Sequence, residues 1–224
     1  MTFLRDALLV AGKDLRIERR SRVALAQILP FGGIVVVMFA FALDADRRSL
    51  PAAAPGLFWA AVFLAALLAI GRSFSVEESN GARDGLRLSG LDGGSIFVGK
   101  AVAIAVELFL LEVVLGVAVV VLYGVTLHGA LVLVCTALAA TIGLAATGTV
   151  YGVLATGLRA RDTLVPLLVL PAVTPVMLGA TRAFSAAISG PTSDAWPWVQ
   201  LLAAFSLLAI AAGTMAFGPL LEES

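Results

Sequence analysis

Charge is what this 224-residue chain has least of: Asp, Glu, Lys and Arg make up 13% of it, against 60% hydrophobic residues. Soluble domains carry about 25% charged residues, and the mean hydropathy of +1.03 points the same way, to a lipid bilayer. Cysteine is represented once, by Cys135, which excludes an internal disulfide, a CxxC redox pair, a CxxCH haem attachment motif and any thiolate cluster made by this chain alone. Histidine is also represented once, by His128, so zinc and multi-histidine catalytic sites are not expected. Fifteen basic residues balance fifteen acidic ones, and a net charge of zero gives no reason to expect nucleic acid as a partner. Neither a catalytic residue nor a metal site is predicted.

What the chain does have is long apolar runs. A bilayer core about 30 Å thick takes about 20 apolar helical residues per crossing, because every backbone amide must be satisfied within the segment. Runs poor in charge predict six crossings at about 23–43, 51–71, 97–122, 130–154, 163–181 and 197–221, in one transmembrane domain covering 1–224. The expected fold is an all-α polytopic membrane protein. Lys and Arg divide 12 to 3 between the two sides of such a bundle, which predicts cytoplasmic N- and C-termini by the positive-inside rule.

Residues 1–22 do not read as a secretory signal, since the longest uncharged run before Val23 is Ala7 to Gly12. Leu4, Leu8, Ala11 and Leu15 recur at helical spacing with Arg5, Lys13, Arg16 and Arg19 around the rest of the wheel. The pattern predicts an amphipathic helix lying at the membrane surface. Between the second and third spans, residues 72–96 form the longest polar connector, a candidate coupling loop for a cytoplasmic motor or simply a solvated link. Glu77, Glu78, Arg83, Asp84, Gly85 and Arg87 are its candidate docking residues. Within it, Gly94 to Lys100 fits GxxxxGK, but Ala101 stands where a phosphate-binding loop needs Ser or Thr.

Glu107 and Glu112 fall inside the third span, where a charged side chain costs about 2.5–3.5 kcal/mol on insertion scales. Each reads equally well as a structural hydrogen-bonding group or as part of a transport path or subunit contact. Their spacing of five residues sets them about 140° apart, so they do not form a carboxylate pair. Lys100, seven residues before Glu107, is expected to share its face and orient it near the cytoplasmic entrance. Pro166, Pro171 and Pro175 predict a kinked fifth span, either a hinge or a static packing feature. Trp196 and Trp198 read as an interfacial belt, and His128 as a lone interfacial histidine.

Taken together, these stretches resemble the CcmB family, the permease subunit of the ABC complex that serves cytochrome c maturation. The similarity is carried by Lys13 to Leu25, by Glu78 to Leu88 with Ile96 to Lys100, by Leu111 to Val114 and by Leu167 to Pro175. Ser89 and Gly90 depart from it, where the family commonly has a proline after the leucines. The resemblance implies an ABC-2-type permease in the bacterial plasma membrane, not itself an enzyme. It implies a separate CcmA-type ATPase subunit that binds ATP and Mg²⁺, CcmC- and CcmD-type membrane subunits, and a CcmE-type haem chaperone released at the outer face. Haem is then handled by those partners, and this chain contacts membrane lipid and holds no cofactor of its own. The residues alone leave open an ABC-2 permease for a lipid, glycan or drug, and a membrane scaffold that only assembles partners.

Overall fold

The computed structural model describes residues 2–22, 24–43, 50–79, 85, 90–155 and 161–223, of which 2, 24–25, 77–79, 161–165 and 222–223 are described by backbone alone. These residues are helical almost throughout. The elements are α1 (Thr2–Ser21), α2 (a π-helical turn Ala24–Ile28 continued by Leu29–Ala42), α3 (Leu50–Ser79), α4 (Gly93–Tyr123), α5 (Ala130–Leu154), α6 (Arg161–Ser189), a 3₁₀ turn (Thr192–Ala195) and α7 (Trp196–Glu223). Five segments are long and apolar enough to cross a membrane: Leu50–Val76, Gly93–Tyr123, Ala130–Leu154, Pro166–Ser189 and Thr192–Leu221. α1 and α2, which meet at a bend of 58°, pass the same test only as a pair. At about 1.5 Å per residue, Ala24–Ala42 reaches about 28 Å, close to the bilayer core. The chain is a multi-pass membrane protein.

Several helices are longer than the spans expected from hydropathy. The connector expected at 72–96 is shorter than that, because α3 continues to Ser79 and α4 already begins at Gly93. Neither Gly nor Pro interrupts 72–79. On the other side, Asp92 caps α4, its carboxylate accepting from the Ser95 amide at 3.1 Å. At its far end α4 stops at Gly124, whose φ of 65° is the left-handed conformation that suits glycine after a helix. Hydropathy registers only the stretch in lipid, so helical turns that project into water escape it. The three prolines expected to kink the fifth span lie within one continuous element, α6. There the Thr174 hydroxyl donates to the Leu170 carbonyl at 2.8 Å, four residues back on the same helix.

Both chain ends lie at one end of the bundle. Phe3, Gly94 and the Thr214 carbonyl meet there, and Gly93 lies against the backbone of Gly218. At the opposite end Gly129 packs on Thr192 and Ala187. The centre is α5, which packs against α3, α4, α6 and α7. Its small residues make that possible: Gly143 faces Ser206 and Phe205, Gly148 faces Ile70, and Gly152 faces Phe74.

α1 lies along the first half of α4, burying Ala7, Val10 and Ala11 while Leu4 and Leu8 stay exposed on its flank. The seat is Gly99, where an added Cβ would sit 2.6 Å from the Ala7 carbonyl oxygen and 2.6 Å from Val10 Cβ. Gly99→Leu is therefore expected to lift α1 off α4 and to cost about 1–3 kcal/mol. Limited trypsin digestion would show it as faster cleavage after Arg16, Arg19 and Arg20 than in the parent chain.

Candidate functional site

Two groups of polar side chains are built into the membrane portion, and α4 carries a member of each. The first sits where α1 crosses α3 and α4. Two of the three acids of α1 are turned inward: Asp14 meets Lys100 of α4 at 3.5 Å, and Glu18 meets Arg72 of α3 at 3.3 Å. Asp14 also pairs with its neighbour Lys13 at 2.9 Å. Lys100 is only 1% exposed, and its ammonium lies 4.7 Å from the centre of the Phe74 ring, a cation–π contact strengthened by desolvation. The expectation that Lys100 orients Glu107 is thus corrected: Lys100 turns toward α1. A carboxylate on another helix, brought directly against the ammonium, outcompetes one about 10 Å away along its own helix.

Glu107 instead faces Glu18 and Arg72, lining with them and Asp14 a cavity of about 30 Å³. Its Oε1 is buried without a hydrogen-bond partner among the described residues, and the space beside it is wide enough for a water molecule. Glu107 also borders a larger groove of about 970 Å³ between α1, α2 and α4.

The second group lies deeper. Glu112 is 4% exposed, and its Oε1 accepts a hydrogen bond from the Thr141 hydroxyl of α5 at 2.5 Å. Its Oε2 is buried with no partner among the described residues. Glu112 is the acidic residue in the wall of an otherwise apolar cavity of about 370 Å³ that runs toward Leu127 at the far end of the bundle. Phe58 and Phe184 line it, stacked with ring centres 5.3 Å apart, and Trp59 meets Phe184 edge-on at 5.2 Å. Exposed Val113, Val117 and Val134 rim it. The two carboxylates thus line different cavities, Glu107 toward α1 and Glu112 toward the far end, in keeping with a five-residue spacing that turns them to different faces. In this setting Glu112 can accept a proton or a ligand's donor hydrogen.

Thr141→Val is expected to strip Glu112 of the hydrogen bond from the Thr141 hydroxyl and to lower stability by about 1–3 kcal/mol, the cost of a buried polar group left unsatisfied. Thermal unfolding of the detergent-solubilised chain would measure it, with Thr141→Ser, which keeps the hydroxyl, close to the parent.

Of the connector residues, Glu77 and Glu78 sit on the last turn of α3, described by backbone alone. Gly85 is exposed, with nothing within 4 Å of an added Cβ. Arg83, Asp84 and Arg87 lie outside the described residues. Pro171 and Pro175 share an exposed face of α6, and Pro166 is half-buried. His128 is exposed between α4 and α5, its Nδ1 3.4 Å from Thr126 Oγ1. Asp14, Glu18, Arg72 and Thr141 did not stand out from the sequence. The signal for the first two was there, since their i, i+4 spacing sets both acids on one face of α1, opposite Arg5, Arg16 and Arg20.

The family model described as CcmB protein matches residues 5–224. The chain belongs to the CcmB family. Among its relatives, heme exporter protein B of Pseudomonas aeruginosa is 29% identical over 210 residues, covering 92% of this chain and 94% of the relative. Heme exporter protein B of Bradyrhizobium diazoefficiens is 31% identical over 207 residues, 91% of each chain. That of Haemophilus influenzae is 29% identical over 175 residues, covering 78% and 79%. The family resemblance expected from Lys13 to Leu25 and the other quoted stretches therefore holds along the chain.

Proposed function

We propose that this chain is the membrane permease subunit of an ABC transporter for haem export in cytochrome c maturation, seated in the bacterial plasma membrane with both termini cytoplasmic. The observation that carries this reading is a family match over residues 5–224 on a chain whose described residues are helices of a membrane bundle, with no soluble domain among them. Such a subunit draws its energy from elsewhere: a CcmA-type ATPase, holding ATP and Mg²⁺, docks on the connector through Glu77, Glu78, Arg83, Asp84, Gly85 and Arg87. The 12 to 3 division of Lys and Arg supports placing that connector, and α1 beside it, on the cytoplasmic side.

Conformational change then passes from α3 and α4 to the carboxylates. Glu107 with Lys100 serves the inner half and Glu112 the outer half, with Pro166, Pro171 and Pro175 as the hinge of α6. Haem is cargo in this scheme, handled by CcmC- and CcmD-type subunits and by a CcmE-type chaperone released at the outer face. With His128 as its one histidine, the chain cannot by itself make a bis-histidine haem site.

Affinity capture of the tagged chain from its own membranes tests the reading. An ATPase and haem-handling membrane proteins are expected to come with it. Capture of an ATPase together with proteins of lipid, glycan or drug export, and no haem-handling protein, would assign a different substrate. Glu78→Lys combined with Asp84→Lys is expected to lower the ATPase activity of the assembled complex severalfold, and unchanged activity would sink the coupling role of the connector.

A further inference from the structure

The groove between α1, α2 and α4 has two chemically different ends. At one end stand Arg19 and Arg22, both exposed, neither making an ion pair among the described residues. Arg22 lies where the chain turns from α1 into α2, with φ of 55° in the left-handed region. Two acids border the same end: Glu18, which is balanced by Arg72 at 3.3 Å, and Glu107. The other end is hydrocarbon, walled by Ile28 and Leu29 of α2 and by Leu111 and Val114 of α4. Its volume of about 970 Å³ is at the upper end of the range for small-molecule sites, about 300–1,000 Å³.

We propose that this groove is a binding site for one anionic glycerophospholipid of the leaflet in which α1 lies, its phosphate on Arg19 and Arg22 and an acyl chain along Leu111, Val114 and Leu29. Charge complementarity carries the choice of occupant. With Glu18 offset by Arg72, two arginines face one carboxylate, Glu107, and a single negative head group brings the site to neutrality. Position excludes a water-borne acidic peptide: Leu110, 64% exposed on the groove wall, belongs to a helix that crosses the bilayer, so its neighbour must be a molecule of the membrane. Depth agrees. If α4 leaves the bilayer core near Tyr123, a core of about 30 Å ends near Ala103, which places Glu107 just inside the boundary and α1 upon it. The exposed Leu4 and Leu8 on the α1 flank fit the same plane.

The test is native mass spectrometry of the detergent-purified full-length chain with added dioleoyl-phosphatidylglycerol or dioleoyl-phosphatidylcholine. One phosphatidylglycerol is expected to stay bound to the parent chain. Binding should weaken about thirtyfold in the Arg19→Gln, Arg22→Gln variant, at about fivefold for each basic residue near an anionic surface. Val114→Trp, which fills the apolar end, should weaken it as well, and Arg5→Gln with Arg20→Gln, on the outward face of α1, should leave it unchanged. Millimolar inorganic phosphate should not displace the lipid. The proposal is overturned if phosphatidylcholine binds as tightly, if the Arg19 and Arg22 variant binds like the parent, if phosphate competes, or if no lipid binds because a partner helix is the true occupant.

Discussion

Glu112→Leu is expected to abolish most cytochrome c maturation in cells that depend on this chain, a fall of at least about tenfold, which corresponds to about 1.4 kcal/mol. Stability should move the other way. Glu112 is 4% exposed in an apolar wall, and only one of its oxygens has a partner among the described residues. Replacing a buried ionisable group by an apolar one of similar size is commonly neutral or stabilising, and the Thr141 hydroxyl so released can donate instead to the carbonyl four residues back on α5. Removing a charged side chain from a membrane helix further relieves an insertion cost of about 2.5–3.5 kcal/mol. Activity lost while thermal stability holds or rises is the signature of a group kept for function. If both fall together, Glu112 is a packing group that ties α4 to α5 through Thr141. Glu112→Gln refines the result: it keeps the shape and can still accept from Thr141, so a Gln variant as inactive as the Leu variant would assign the role to the carboxylate's proton or charge.

Asp14→Ala is expected to have the largest effect on stability, a loss of about 3 kcal/mol, because it removes the carboxylate that Lys100 meets at 3.5 Å in a place where the lysine is only 1% exposed. The Phe74 ring remains beside the ammonium, and a desolvated cation–π contact supplies about 2 kcal/mol, less than the roughly 3–5 kcal/mol that breaking a buried pair costs. Combining Asp14→Leu with Lys100→Met should recover most of the loss, since both charges leave together and apolar side chains of similar size take their place. Thermal unfolding of the three proteins in one detergent would decide it. A double variant no more stable than Asp14→Ala would mean that the ion pair does more than neutralise a buried charge.

The membrane helices were legible because lipid imposes one severe rule, runs of about 20 residues poor in charge. The turns of α3 beyond Arg72 and of α4 before Phe97 were not, since nothing in their polarity distinguishes a helix in water from a connector. The site divided the same way. Glu107 and Glu112 stood out as charges in the wrong solvent, and their spacing correctly sent them to different neighbours. Their neighbours were illegible: Lys100 finds Asp14, 86 residues earlier, and Glu112 finds Thr141, 29 residues later. Such pairs depend on which helices lie side by side, and hydropathy counts helices without arranging them. α1 was read as an amphipathic surface helix, yet the side it buries is Ala7, Val10 and Ala11, with the bulkier Leu4 and Leu8 left outside. Small residues allow close approach to Gly99, and the leucines are left for lipid.

The pairing of α5 with α7 has a consequence for biogenesis. It is the most extensive helix packing in the described structure, and it joins the middle of the bundle to a segment synthesised two helices later. Ser206 of α7 donates to the Ala139 carbonyl of α5 at 2.6 Å, and Gly213 lies against Phe97 of α4. Until the ribosome has delivered α7 to the membrane, α5 therefore presents Ala139 and Gly143 to lipid, and the bundle has no closed centre. Chains stopped before Trp196 can insert their earlier spans but cannot complete the interior, and they would reach the membrane's quality-control proteases as half-built bundles.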